Sequence, residues 1–147
     1  MQRLCMCVIG LLLLLAAGCE PGTESVRGLR LPDGNIAKGK AAFVSLKCYN
    51  CHPVDGVELP APEQADAPQV VLGGQFYHVK TRGDLAASIL DPSYKLAAGY
   101  KRETISRDGA SLMPGFNHTL SVEQMIDLVA FLQSRYIRIE PETWAYH

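Results

Sequence analysis

An excess of either charge is what this sequence most lacks: 14 Lys and Arg stand against 15 Asp and Glu, a net charge of -1 over 147 residues. With no positive field and no dense basic stripe, nucleic acid is excluded as the expected partner. No internal repeat appears and no strand pattern runs beyond a few residues, which leaves a small all-α fold with long loops. Nor is there an apolar run of bilayer length. The longest, Val8 to Ala17, covers about ten residues, and a helix crossing the hydrocarbon core needs roughly 20. At this length there is room for one domain and little for two. The five cysteines are an odd number, so they cannot all pair within the chain. A chain this long is also not one of the tiny scaffolds that depend on disulfides. The use of the five thiols is therefore the central question.

The apolar run follows Arg3 and meets no charge until Glu20. A basic start, a short apolar stretch and small residues after it read as a secretory leader over residues 1–18, not as a buried core helix. The run closes Leu15-Ala16-Ala17-Gly18-Cys19, which resembles the lipobox of bacterial lipoproteins. That resemblance implies lipidation at Cys19 and loss of Cys5 and Cys7 with the leader. Ordinary cleavage nearby, leaving Cys19 as a free thiol, is the alternative. Several acyl chains anchor stably where one is marginal, so the mature chain would be held at a membrane surface, on its periplasmic side, without spanning it. Glu20 is not the Asp that tends to signal inner-membrane retention, so the outer membrane is the expected destination. Residues 19–34 are polar and punctuated by Gly and Pro, a flexible tether that extends at most on the order of 50 Å.

The domain is expected over residues 35–136, with a tail at 137–147. Asn35 to Lys47 carries Ile36, Gly39, Phe43, Val44 and Leu46 at near-helical spacing, interrupted by one Gly that close approach of another backbone or ring would explain. Pro53 to Gly74 has no period and reads as a long irregular loop, a kind of segment that needs an organiser; a prosthetic group is one. Thr81-Arg82-Gly83-Asp84 has capping-box spacing before a helix that Pro92 stops. Ser121 and Gln124 open the last helix in the same way, and Val122, Met125, Leu128, Val129 and Leu132 carry it to about Tyr136.

Cys48-Tyr49-Asn50-Cys51-His52 carries the chemistry. On one helical turn positions i, i+3 and i+4 share a face, so two thiols and an imidazole point at one object. This is the spacing of covalent haem c attachment, in which Cys48 and Cys51 form thioethers with the porphyrin and His52 reaches the iron. A redox Cys-x-x-Cys needs no trailing His and belongs beside a βαβ pattern, which is missing. A zinc site would need two further ligands at short spacing, and the other cysteines lie in or beside the leader. Export agrees with haem, because this attachment takes place outside the cytoplasm.

Over residues 35 to 136 the sequence resembles the class I c-type cytochromes. Gly39 and Phe43, with Phe131, look like that family's crossing of first and last helices. The resemblance implies the small cytochrome c fold, three to four main helices with long loops wrapped around one covalently bound haem. Met113-Pro114-Gly115-Phe116 looks like the segment that supplies the distal axial Met. Pro68, in Ala67-Pro68-Gln69-Val70, falls near the segment whose carbonyl holds the haem His, making it a supporting residue. Met113 precedes a Pro in a Gly-containing loop, where a ligand on a rigid support fits better than a core side chain. His78 and His118 are the rival distal ligands, Met125 belongs to the apolar stripe of the last helix, and His147 is solvated. Ligation by His52 and Met113 fills both axial positions and raises the potential relative to a bis-His pair. With no open coordination site, one-electron transfer is the chemistry left.

The expected function is a membrane-anchored monohaem carrier between exported redox proteins. Alternatives are a cytochrome subunit of an exported dehydrogenase or oxidase complex and, from a different class, a haem enzyme or gas sensor with an open or displaceable distal site. Lys95, Lys101, Arg102 and Arg107 form the one basic concentration. They read either as a rim that steers an acidic partner or as a solvated loop offset by Glu103 and Asp108. The tail holds Trp144, the only Trp, and either docks onto a larger complex or packs back over the domain.

Overall fold

The computed structural model describes residues 30–140. The leader, Cys19, most of the tether, Trp144 and His147 lie outside the described residues.

Helix α1 (Ile36–Ser45) starts where the Asn35 side chain accepts from the Lys38 amide at 2.9 Å. Helix α2 (Arg82–Leu90) is opened by a full capping box in which Thr81 and Asp84 each take the other's amide. Helix α3 (Arg102–Ile105) is a single turn. Helix α4 (Val122–Gln133) repeats the capping box with Ser121 and Gln124. In both boxes two of the four unpaired amides of a helix start are satisfied reciprocally, which is why these two ends fall where the sequence placed them.

The core is built by crossing α1 over α4. Gly39 lies against α4 so closely that a Cβ there would sit 2.6 Å from the Asp127 carbonyl carbon and 2.7 Å from the Phe131 Cβ. With the helices that near, Phe43 and Phe131 meet edge to face, ring centroids 5.6 Å apart at 64°. Leu128, Val129, Leu132 and Met125 continue the buried stripe, and Leu85, Ala86 and Ile89 of α2 pack onto it. Asp127 is the one charged side chain buried among the described residues; it accepts from the Asn35 amide at 2.6 Å, so the start of α1 is fastened to α4.

Three sequence expectations need correction. The all-α description omits two short sheets: β1 (Gly74–Phe76) pairs in parallel with β4 (Tyr136–Arg138), and β2 (Ser106–Arg107) pairs antiparallel with β3 (Ala110–Ser111). Strands of two or three residues carry no readable alternation. The β2–β3 turn carries a signal that the sequence reading passed over: Asp108 (φ 51°) and Gly109 (φ 82°) both take the positive φ of a primed hairpin turn, which the Asp-Gly pair favours. Second, the last helix stops at Gln133, short of Tyr136, because Tyr136 onward is claimed by β1. The start of the tail therefore packs back over the domain, with Ile137 opposite Gln75 and Arg138 opposite Phe76. Third, residues 31–34, assigned to the tether, sit on the domain: Leu31 packs against the core and Asp33 accepts from Arg82 at 2.9 Å.

Candidate haem site

A largely apolar cleft opens between α1, α2 and α4. Phe43 and Leu46 line it from the first helix and its cap, Leu85 and Ile89 from α2, Leu128 and Leu132 from α4, and Ile105 from α3. A flat apolar group placed there would meet apolar side chains from all four helices.

Cys48, Cys51 and His52 reach this cleft because of how α1 ends. The Leu46 amide closes the helix on Ala42 and the Lys47 amide on Val44, and Lys47 adopts φ 57°, a left-handed turn that a side chain tolerates at a cost of roughly 1–2 kcal/mol. A 3-10 turn over Cys48–Asn50 follows, with the Cys51 and His52 amides both donating to the Cys48 carbonyl, at 3.2 and 3.0 Å. One carbonyl thus gathers the three chemical side chains. Both thiols are free. Burial pushes the Cys48 thiol up to about 11 and raises Cys51 as well. A reactive dithiol needs its thiolate favoured, so the redox Cys-x-x-Cys alternative has the wrong electrostatics. Among the described residues no group of three or more His, Cys, Asp or Glu converges on a metal-sized point, so the zinc alternative has no ligand set there.

The residues between the two cysteines organise the long loop. Tyr49 donates to Glu63 at 3.2 Å, the Asn50 side chain accepts from the Glu63 amide at 2.9 Å, and the Asn50 carbonyl accepts from Gln69 at 2.8 Å. Lys47 pairs with the same Glu63 at 2.9 Å. The chain then runs beside residues 51–55: Val70 donates to the Cys51 carbonyl at 2.8 Å, Leu72 to Pro53 at 2.9 Å, and Asp55 to Leu72 at 2.8 Å. Much of the organiser that the irregular segment requires is therefore the protein itself.

This register puts the Val70 carbonyl 2.9 Å from His52 Nδ1. A carbonyl only accepts, so Nδ1 carries the proton and Nε2 is left with its lone pair. Burial, opposed by the Val70 bond and reinforced by the nearby Lys80 ammonium, holds His52 below its ordinary value and so neutral. Pro68 lines the cleft, but the supporting carbonyl belongs to Val70, two residues on, which corrects the Pro68 assignment. The segment's position is set by pairing with residues 51–55, and no local residue preference in Ala67–Val70 announces which carbonyl that pairing presents.

Met113 and Phe116 also line the cleft, from the loop after β3; Ser111 Oγ accepts from the Met113 amide at 3.2 Å. His78 and His118 are exposed and not among the lining residues, and Met125 is buried in the core. The structure thus brings Cys48, Cys51, His52, Pro68 and Met113 to one cavity. Two lysines complete its wall, Lys80 and Lys95. Burial and the neighbouring Lys95 charge hold Lys80 below the usual lysine value. Sequence reading missed Lys80, which directly precedes the Thr81–Asp84 capping box but belongs to no cofactor motif.

Two cysteines, a neutral imidazole and a thioether line one apolar cleft, which suits a covalent haem. A family model described as Cytochrome c matches residues 36–135. The chain belongs to the cytochrome c family. No curated protein and no solved structure matches it. As a cytochrome c it carries covalently attached haem c with its iron, in the Cys48 to His52 spacing, and electron transfer is the chemistry of its family. The residues present fit that group: free thiols, an apolar enclosure and cations suited to the two porphyrin carboxylates. No helix among the described residues is long and apolar enough to cross a membrane.

Proposed function

We propose that this cytochrome is a monohaem one-electron carrier with His52 and Met113 as its two axial ligands. The observation that carries the reading is that both side chains line one cleft with Cys48 and Cys51, while His78 and His118 do not. When bound, the haem supplies an iron centre that changes charge by one without changing ligands. His52 presents Nε2 because Val70 holds the proton on Nδ1. Met113 offers a soft thioether, which favours the ferrous state and a raised potential. Phe43, Leu128 and Leu132 would exclude water from the haem, and Lys80 would meet a porphyrin carboxylate.

The remaining parts of the reading come from the sequence: export by residues 1–18, lipid attachment at Cys19, and service to exported redox proteins or to a dehydrogenase or oxidase complex. Lys95, Lys101, Arg102 and Arg107 support an acidic partner, since all four are exposed and none enters an ion pair among the described residues.

Met113→Ala tests the ligand set. The variant is expected to lose the sulfur-to-iron absorption band, fall in potential and bind CO in the ferrous state. An unchanged spectrum and potential overturn the assignment. Ready CO binding by the unaltered protein at neutral pH would instead favour an open-site haem enzyme or sensor.

A further inference from the structure

The hydrogen bond from His52 to Val70 does not end at Val70. The amide of Val71 donates to the hydroxyl oxygen of Tyr100 at 2.9 Å. The Val70 carbonyl and the Val71 amide are the two ends of a single peptide group. His52 Nδ1 meets one end at 2.9 Å and Tyr100 meets the other. We propose that Tyr100, through this one peptide unit, tunes how strongly His52 donates to the haem iron and so sets the reduction potential. This rests on His52 being an axial ligand, as proposed above.

The physical step is polarisation. A peptide whose N–H is engaged carries more negative charge on its oxygen, and linked hydrogen bonds strengthen one another by roughly 10–30% per bond. A stronger acceptor at Val70 draws the Nδ1 proton outward and gives the ring more imidazolate character. That makes Nε2 a better donor, which favours ferric iron over ferrous iron. Tyr100 therefore holds the potential down, opposing the thioether of Met113.

Tyr100 is well placed for tuning and poorly placed as a structural support. The backbone around Val70 is held independently on its other edge, by Val70 to Cys51 at 2.8 Å, Leu72 to Pro53 at 2.9 Å and Asp55 to Leu72 at 2.8 Å. Removing one hydroxyl leaves those bonds in place, so the Val70 oxygen stays where it is and changes in strength. Tyr100 comes from the loop between α2 and α3, far along the chain from Val71, and no sequence motif marks it. It is a positioning residue that touches neither iron nor porphyrin in the role assigned here.

The test is Tyr100→Phe in the haem-loaded protein, with Tyr94→Phe as control, since Tyr94 is an exposed tyrosine of the same loop. Two quantities are read: the potential by spectroelectrochemical titration, and the His52 Nδ1 proton resonance by NMR of the reduced, diamagnetic state. Tyr100→Phe is expected to move the Nδ1 proton upfield and raise the potential, while Tyr94→Phe moves neither. An unmoved Nδ1 proton, a potential that is unchanged or lower, or an equal effect of Tyr94→Phe overturns the relay. The parent spectrum separates this from the ligand assignment. His52 ring protons shifted far upfield by the porphyrin show coordination whatever the variant does, and their absence would remove both readings.

Discussion

Gly39→Ala offers the sharpest test of how the fold builds its cleft. A Cβ at this position would lie 2.6 Å from the Asp127 carbonyl carbon and 2.7 Å from the Phe131 Cβ. Neither neighbour is the free end of a flexible side chain. The Asp127 carbonyl oxygen is nearer still, so the helices must part by more than about 1 Å before a methyl group reaches ordinary contact, and the parting falls on the Phe43–Phe131 edge contact at 5.6 Å. Overpacking of a tight core costs roughly 1–3 kcal/mol, and weakening the aromatic pair adds up to about 1 kcal/mol. Against this, Ala is favoured over Gly inside a helix by about 1 kcal/mol. The sum runs from near 0 to about 3 kcal/mol, and the Asp127 carbonyl contact places it in the upper part, about 2–3 kcal/mol or a fall in melting temperature of roughly 8–20 °C for a domain of this size. Thermal unfolding of the oxidised haem protein, followed by circular dichroism at a helical wavelength, measures it. Gly39→Ala melting with or above the parent would refute the close crossing of α1 and α4. The haem pocket should loosen in step, because Phe43 and Leu128 belong to both the crossing and the cleft wall.

Other outcomes follow from the electrostatics. Asp84 is held below the usual carboxylate range by its bonds to Thr81, so its stabilisation is present above the ordinary value of 3.8 and lost as pH falls through its folded value. Asp84→Asn should cost a few tenths to about 1 kcal/mol near neutral pH; denaturant midpoints compared across pH should show the difference closing below about 3.8. A difference constant with pH would remove the charge from the argument. Lys80→Gln takes a cation from the cleft wall and should lower the potential by a few tens of millivolts, since unit charges about 10 Å apart at an effective dielectric of about 40–80 interact by roughly 0.4–0.8 kcal/mol. A raised potential would count against a cation acting on the iron. If Lys95, Lys101, Arg102 and Arg107 guide an acidic partner, electron exchange should slow as ionic strength rises, and rates flat from low to high salt would dismiss the rim.

Some of this molecule was readable one residue at a time. The Cys48 to His52 spacing carries its meaning in five residues because one helical turn fixes their relative directions. Thr81 with Asp84 and Ser121 with Gln124 announced two helix starts for the same reason, a bond closed within four residues. Gly39 with Phe43 and Phe131 hinted at the helix crossing through the family resemblance. Where the chain joins distant segments the local record fails. The last helix has apolar spacing that runs to Tyr136, yet it stops at Gln133, since pairing with Gly74–Phe76 outcompetes another helical turn. Leu31 reads as tether until the core it covers is seen.

The same division governs the site. By itself the sequence determined the attachment group and Met113 as the thioether worth testing, through short spacings and one resemblance. Only the tertiary structure decided which carbonyl meets His52, that Lys80 and Lys95 share the cavity wall, and that Tyr100 closes on the far end of the same peptide. The physical reason is range. Turns, caps and the haem-binding motif are set by bonds between near neighbours, whereas the surroundings of the iron ligand depend on strands and loops that meet only after the chain has closed on itself.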